Sequence, residues 1–109
     1  MPNASRLGAV AFKVAFRPRA EKDLFENYEF IAADNLMAAI EFIRRLRQFC
    51  HQLEDMPERG SPREDFAPGV RILVFERRVT VAYRITKNRV QVLRLFYAGR
   101  NTPAAFRRN

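Results

Sequence analysis

Apolar and polar residues alternate from Phe12 to Phe16, with Phe12, Val14 and Phe16 set against Lys13 and Ala15. A period of two belongs to a strand with one buried face, so a first strand is predicted here. Pro18 fixes a backbone angle compatible with a first helical turn, and Ala20, Leu24, Tyr28 and Ile31 then recur at spacings of three and four. The first helix runs to about Ala33, where Asp34 and Asn35 break the pattern. Asn35 can cap the next helix by accepting a bond from the orphan amides of its first turn. That second helix carries Leu36, Ile40, Ile43, Leu46, Cys50 and Leu53 on one stripe, with Arg44, Arg45, Arg47 and Gln48 largely outside it.

Pro57, Gly60 and Pro62 end the helical pattern, and the polar stretch from Glu58 to Gly69 reads as a loop longer than most connections. Three strand-like runs follow: Val70–Phe75, Val79–Ile85 and Val90–Tyr97. Glu76–Arg78 and Lys87–Asn88 are of hairpin length, so the three runs form an antiparallel meander. The expected class is α+β in the order β-α-α-β-β-β, with a helical hairpin packed on an antiparallel sheet. Residues 12–100 make one domain, 1–11 a flexible N-terminal tail and 101–109 a short C-terminal tail.

Composition adds a partner to this picture. Lys and Arg total 20 against 12 Asp and Glu, a formal net charge of +8. Lys13, Lys22 and Lys87 are the only lysines, leaving 17 arginines, whose planar fork suits phosphate and carboxylate. Nucleic acid or an acidic protein surface is the expected counterpart. Hydrophobic residues make up 48% of the chain, enough for a core without staples. The single cysteine, Cys50, excludes an intrachain disulfide and fits a reducing compartment, so the cytoplasm is expected. No apolar run approaches the roughly 20 residues of a membrane span, and no membrane, cofactor or metal is anticipated.

Catalytic signatures are sparse. There is no glycine-rich phosphate loop, no nucleophile elbow and no metal-spaced cluster. The one histidine, His51, sits a step off the apolar stripe and reads as an ordinary exposed side chain. Glu21, Glu26, Glu29 and Glu41 have the spacing of solvated helix faces, and Glu58, Glu64 and Asp65 lie in the long loop. Arg71, Arg84 and Arg94 are different, because they fall among Val, Leu, Ile and Phe on strands. If Val79, Val81, Tyr83 and Ile85 face the helices, Arg84 faces away, and Arg71 and Arg94 join it only in a suitable register. Such a set can cradle phosphate or carboxylate, or simply snorkel at the surface. Tyr97 and Arg100 close the last strand with a phenol and a guanidinium on one rim.

In sum these residues resemble the RelE/ParE superfamily of toxins, closest to the ParE-like plasmid-stabilisation members. Phe16-Arg17-Pro18-Arg19-Ala20-Glu21-Lys22-Asp23-Leu24 is similar to the family's opening, a strand entering a "P-x-A-x-x-D-L" helix start. Tyr28-Glu29-Phe30-Ile31-Ala32 with Asp34-Asn35 resembles its "Y-I-A-x-x-N" helix end. The run from Leu53 to Arg63 is similar to its "L-x-x-x-P-x-x-G-x-P-R" loop, and Pro68-Gly69-Val70-Arg71 to its "P-G-L/V-R" strand entry. Val81-Ala82-Tyr83-Arg84-Ile85, Val92-Leu93-Arg94-Leu95 and Ala98-Gly99-Arg100 resemble its closing "Y-R-I" and "I-L-R-V-x-H-G-x-R" strands. The likeness spans about Phe12 to Arg100, with its motifs in order.

The resemblance implies a type II toxin neutralised by a cognate acidic antitoxin in a hetero-oligomer. It further implies an antitoxin tail folding along the hairpin or sheet, with Leu24, Tyr28, Arg44 and Arg47 as contacts. ParE-type members are associated with DNA gyrase poisoning and RelE-type members with ribosome-dependent mRNA cleavage. For gyrase the target-binding set is Arg71, Arg84, Arg94, Tyr97 and Arg100. For an endoribonuclease, Arg71, Arg84, Arg94 and Tyr97 are the catalytic candidates. The chain departs from the family where Tyr97 stands at a position that many ParE-like sequences give to His, which takes away a histidine general acid. The binding reading is therefore preferred to the enzymatic one. A nucleic-acid-binding module whose toxin activity has lapsed is the third reading.

Overall fold

A computed structural model describes residues 12–97 and Phe106. The expected tails at 1–11 and 101–109 lie outside the described residues apart from Phe106, as does Arg100.

The chain runs β1 (Lys13–Phe16), α1 (Pro18–Ala32), α2 (Leu36–His51), two 3-10 turns (Gln52–Glu54 and Pro57–Arg59), β2 (Ser61–Pro62), β3 (Val70–Phe75), β4 (Val79–Thr86) and β5 (Arg89–Tyr97). Pro18 opens α1 as anticipated, its missing N–H falling among the amides that have no helical partner. Asn35 starts α2 by accepting from the Ala38 amide at 3.0 Å.

The five strands lie in the order β1-β5-β4-β3-β2. The meander β3-β4-β5 is antiparallel, but β1 joins β5 in parallel, so the sheet is mixed rather than wholly antiparallel. Alternation along a strand reports which face is buried and carries no information on neighbours or direction. The long loop also contributes more than expected: Ser61 and Pro62 pair with Ile72 and Arg71 as a two-residue edge strand.

Two cores sandwich β4, whose residues from Val79 to Tyr83 are all buried. On the helix side Val79, Val81 and Tyr83 pack with Leu24, Phe42, Leu46, Cys50 and Leu53. On the far side Ala82 packs with Val70, Phe66 of the loop and Phe96, and Phe106 joins them. A bulge between Ala82 and Tyr83 shifts the β4–β5 register by one residue at Leu93.

The expected stripe on α2 holds at its C-terminal end only. Leu46, Cys50 and, just beyond the helix, Leu53 are buried as expected, but Ala39 and Phe42 face the sheet in place of Leu36 and Ile40, which are 53% and 40% exposed. Two rows of α2 satisfy the three-and-four spacing, and the one holding Phe42 buries the larger ring against Phe75. The displaced part of the row, Leu36 and Ile40, stays on the surface, and Ile43 is half-buried against the core.

Candidate functional site

That displaced row borders a groove between the two helices. Along α1, Glu21, Leu24, Phe25 and Tyr28 recur at helical spacing, and α2 supplies Ile43 and Arg47 one turn apart; these six residues line it. Its floor is apolar, its mouth charged, with Arg47 reaching Glu21 at 3.4 Å and lying over the Phe16 ring at 5.4 Å. Phe25 is 57% exposed and its ring stacks on Tyr28. Arg47 is shared with a neighbouring depression lined also by Arg44, Gln48, His51, Gln52 and Asp55. Three of the expected antitoxin contacts, Leu24, Tyr28 and Arg47, thus meet in one groove, and Arg44 lies beside it. Phe25 and Ile43 were missed: Phe25 falls off the core spacing of α1, and Ile43 was assigned to the buried stripe.

The strand arginines and Tyr97 do not converge. Arg71 is in register with Tyr83 and therefore shares the helix-side face. Its Nη1 donates to the carbonyls of Glu58 at 3.1 Å and Gly60 at 2.8 Å, tying the loop to the sheet. Arg84 and Arg94 point to the other face, in register with Val70 and Ala82. Arg84 donates from Nε to the Pro68 carbonyl at 3.1 Å.

Arg94 is buried and engaged. Its Nε and Nη2 donate to the Asp23 carboxylate at 2.8 and 3.3 Å, and its Nη1 to the Phe106 carbonyl. Asp23 also accepts the Leu95 amide at 2.9 Å. Beyond Phe16 no strand flanks β5 on that side, so a side chain of α1 satisfies the strand edge in place of a backbone carbonyl. The only hint of Asp23 in the sequence was its place in the quoted helix-start motif.

Tyr97 pairs with Val79, four residues along β4 from the partner of Arg71, roughly 13 Å at the rise of a strand. Its ring packs on Phe30 at 5.4 Å and Phe42 at 6.5 Å. Two of the three loop carboxylates are also occupied: Asp65 takes two bonds from Arg63 at 2.8 and 2.6 Å, which hold its carboxyl below the usual range. Glu64 accepts the Gly69 amide. His51 is exposed, 3.4 Å from Glu54. Among the described residues no group of His, Cys, Asp and Glu could hold a metal ion, and no helix is long and apolar enough to cross a membrane.

Comparison with known proteins agrees with this architecture. Residues 14–102 match the family model described as ParE toxin of type II toxin-antitoxin system, parDE. The solved structure titled "Chromosomal ParDE TA system from P. aeruginosa" is similar at a TM-score of 0.67 and 22% identity, covering 82% of this chain and 96% of that one. At that identity the likeness speaks for the fold. No curated protein matches.

Proposed function

The chain belongs to the ParE toxin family of type II toxin-antitoxin systems, and on that premise we propose that in its free form it arrests bacterial growth in the cytoplasm by binding DNA gyrase, without itself making or breaking a bond. A cognate antitoxin of the ParD kind, with an acidic and partly disordered tail, holds it inactive by folding into the groove between α1 and α2.

The observation that carries binding over mRNA cleavage is the dispersal of the residues that cleavage would use. Removing a 2′-hydroxyl proton, stabilising a charged phosphorane and protonating a leaving oxygen need a base, cations and an acid within reach of one phosphate. Arg71 and Tyr97 share a face but sit about 13 Å apart along it, while Arg84 and Arg94 lie on the opposite one. Arg94 is taken up by Asp23 and Tyr97 by its aromatic neighbours. Arg71, Arg84 and Tyr97 remain candidate contacts to the target, singly rather than as a cluster, whereas Arg94 is buried and engaged within the fold.

The groove suits the antitoxin because it combines what an ordering peptide needs. Apolar anchors at Leu24, Phe25, Tyr28 and Ile43 receive the apolar side of an amphipathic segment, and Arg44 and Arg47 meet its acidic side. A protein of net charge +8 draws such a partner in quickly.

Induction of the protein alone in bacteria, following growth, mRNA integrity and plasmid supercoiling in one culture, tests the target. Arrest with intact mRNA and altered supercoiling is expected. Arrest with ribosome-dependent mRNA cleavage would replace the gyrase reading with the endoribonuclease one, and unimpaired growth with soluble protein would remove the active toxin altogether.

A further inference from the structure

The face of the sheet turned away from the helices carries cations and no carboxylates. Register fixes its membership: Lys13 and Ala15 of β1, Arg89, Gln91, Arg94 and Phe96 of β5, Thr80, Ala82, Arg84 and Thr86 of β4, and Val70, Ile72 and Val74 of β3. At one end of this face Phe66 and Phe106 cover Ala82 and Phe96. The other end, beside the turn at Lys87 and Asn88, holds Lys13 next to Arg89 on neighbouring strands and Arg84 one strand further on.

Lys13 and Arg89 are exposed and Arg84 is half-exposed. Among the described residues, Lys13 and Arg89 have no ion-pair partner, and Arg84 is bonded only through Nε, to the Pro68 carbonyl. Elsewhere Arg45 is matched with Glu76, Arg63 with Asp65 and Arg47 with Glu21, and what sets this end of the sheet apart is that its cations share one face. Uncompensated like charges on one small face repel one another and cost stability. Three cations spread over about 10 Å across the strands and 7 Å along them match the scale of neighbouring phosphates.

We infer that this end of the open sheet face, Lys13, Arg84 and Arg89 with Lys87 in the adjoining turn, is a contact surface for the phosphate backbone of duplex DNA. A protein partner would need apolar or aromatic anchors at the centre of its footprint, and this end of the face offers none. A single-stranded nucleic acid would need exposed rings for its bases to stack on. Phe96 is buried beneath Phe66 and Phe106, and Tyr97 is turned to the helix side. What remains is a surface of cations with neutral Gln91 and Thr86 between them, the kind that reads charge spacing and not sequence. The inference does not rest on the gyrase reading, since it concerns naked DNA.

Fluorescence anisotropy of a labelled 20-base-pair duplex titrated with the purified full-length chain, in the absence of gyrase and over a salt series, tests it. Binding should weaken with salt, and a variant K13Q/R84Q/R89Q should flatten the slope of log K against log salt by about 3, each phosphate contact contributing roughly 0.9. That loss corresponds to about a 40-fold smaller fall between 50 and 200 mM salt. The charge-conserving K13R/R84K/R89K should bind as the parent does, which guards against a folding defect. The control K22Q/R77Q/R78Q, which removes the same charge from exposed positions outside this end of the face, should keep the parent slope. No salt-dependent binding by the parent, equal losses in that control, or tighter binding to a single strand of the same length would each overturn the assignment. A positive result here with unaltered supercoiling in cells would leave this surface standing and the gyrase reading fallen.

Discussion

Asp23 and Arg94, 71 residues apart in the chain, form an ion pair whose side chains are only 5% and 8% exposed, and the same carboxylate receives the Leu95 amide. One aspartate therefore joins α1 to β5 by its charge and closes a strand edge by its lone pairs. Removing one partner of a buried pair costs about 3–5 kcal/mol: loss of Asp23 strands Arg94, and loss of Arg94 leaves Asp23 only Arg19, 3.6 Å away. Asp23→Ala or Arg94→Ala should each lower the melting temperature by roughly 15 °C or more, read by circular dichroism. The double variant Asp23→Leu/Arg94→Met should lose less than the two single losses added together, because no charge is left buried alone. Equal melting of parent and Asp23→Ala would show that the pair holds nothing.

Gly60 is a matter of space and not of backbone freedom, since its backbone is extended (φ −75°, ψ 155°). A Cβ there would lie 2.6 Å from the Tyr83 hydroxyl and 2.8 Å from the Ile72 carbonyl. The hydroxyl accepts from the Gly60 amide and donates to the Pro57 carbonyl, both at 2.7 Å. Tyr83→Phe should cost about 1–3 kcal/mol by leaving that buried amide unsatisfied. Gly60→Ala should cost at least as much and should open the Pro57–Arg63 segment to limited proteolysis.

The same tyrosine gives a pH signature. Burial, its largest influence, pushes the Tyr83 phenol above its ordinary value, outweighing the Gly60 amide and the nearby arginines. The folded protein thus keeps a proton that the unfolded chain releases near pH 10. The stabilisation is full below that pH and is lost as pH climbs toward the raised value. Absorbance at 295 nm should show a late-ionising phenol, and that step should vanish in Tyr83→Phe.

At the β3–β4 turn, Glu76 (φ 49°) and Arg77 (φ 59°) both occupy the left-handed region that favours glycine. Arg45 grips the Glu76 carboxylate with two bonds at 2.8 and 2.9 Å, which holds the first of them. Arg77 has no such grip among the described residues, so Arg77→Gly should stabilise the fold by about 0.5–1 kcal/mol. A lowered denaturation midpoint would contradict this.

For the antitoxin groove, Ile43→Glu sets a carboxylate among Leu24, Phe25 and Tyr28. It should weaken antitoxin binding by 100-fold or more, about 2.7 kcal/mol at a buried anchor, in calorimetry with the cognate partner. Growth arrest by the free toxin should persist. Unchanged affinity would move the antitoxin to another surface.

How far the chain could be read ahead of its structure depended on what each residue's neighbours in sequence reveal. Pro18 and Asn35 mark helix starts through local chemistry alone, and the alternation from Val79 to Ile85 gave the helix-facing row of β4. Register between strands is set by distant partners and by the bulge at Leu93, so the opposition of Arg71 to Arg84 and Arg94 was not legible. The second row on α2 failed for a related reason. Ahead of Leu46, which both share, Leu36-Ile40-Ile43 and Ala39-Phe42 have equal claim by spacing, and only the fit of Phe42 against Phe75 decides between them. Composition also concealed an arrangement: arginines lie over phenylalanine rings at Arg45 and Arg78 on Phe42, Arg59 on Phe49, and Arg63 on Phe66, which gives the planar cation a use that lysine serves less well.

The parallel pairing of β1 with β5 also bears on the order in which this fold can close during synthesis. Lys13 meets Arg89, 76 residues later, and at roughly 5–20 residues per second a ribosome takes some 4–15 seconds to make the intervening chain. Asp23 likewise waits for Arg94 and Leu95. Both tethers close only on the last strand, so a truncated or stalled product lacks the pairing that completes the sheet. The helical hairpin and its groove are therefore made before the strand that seals the sheet.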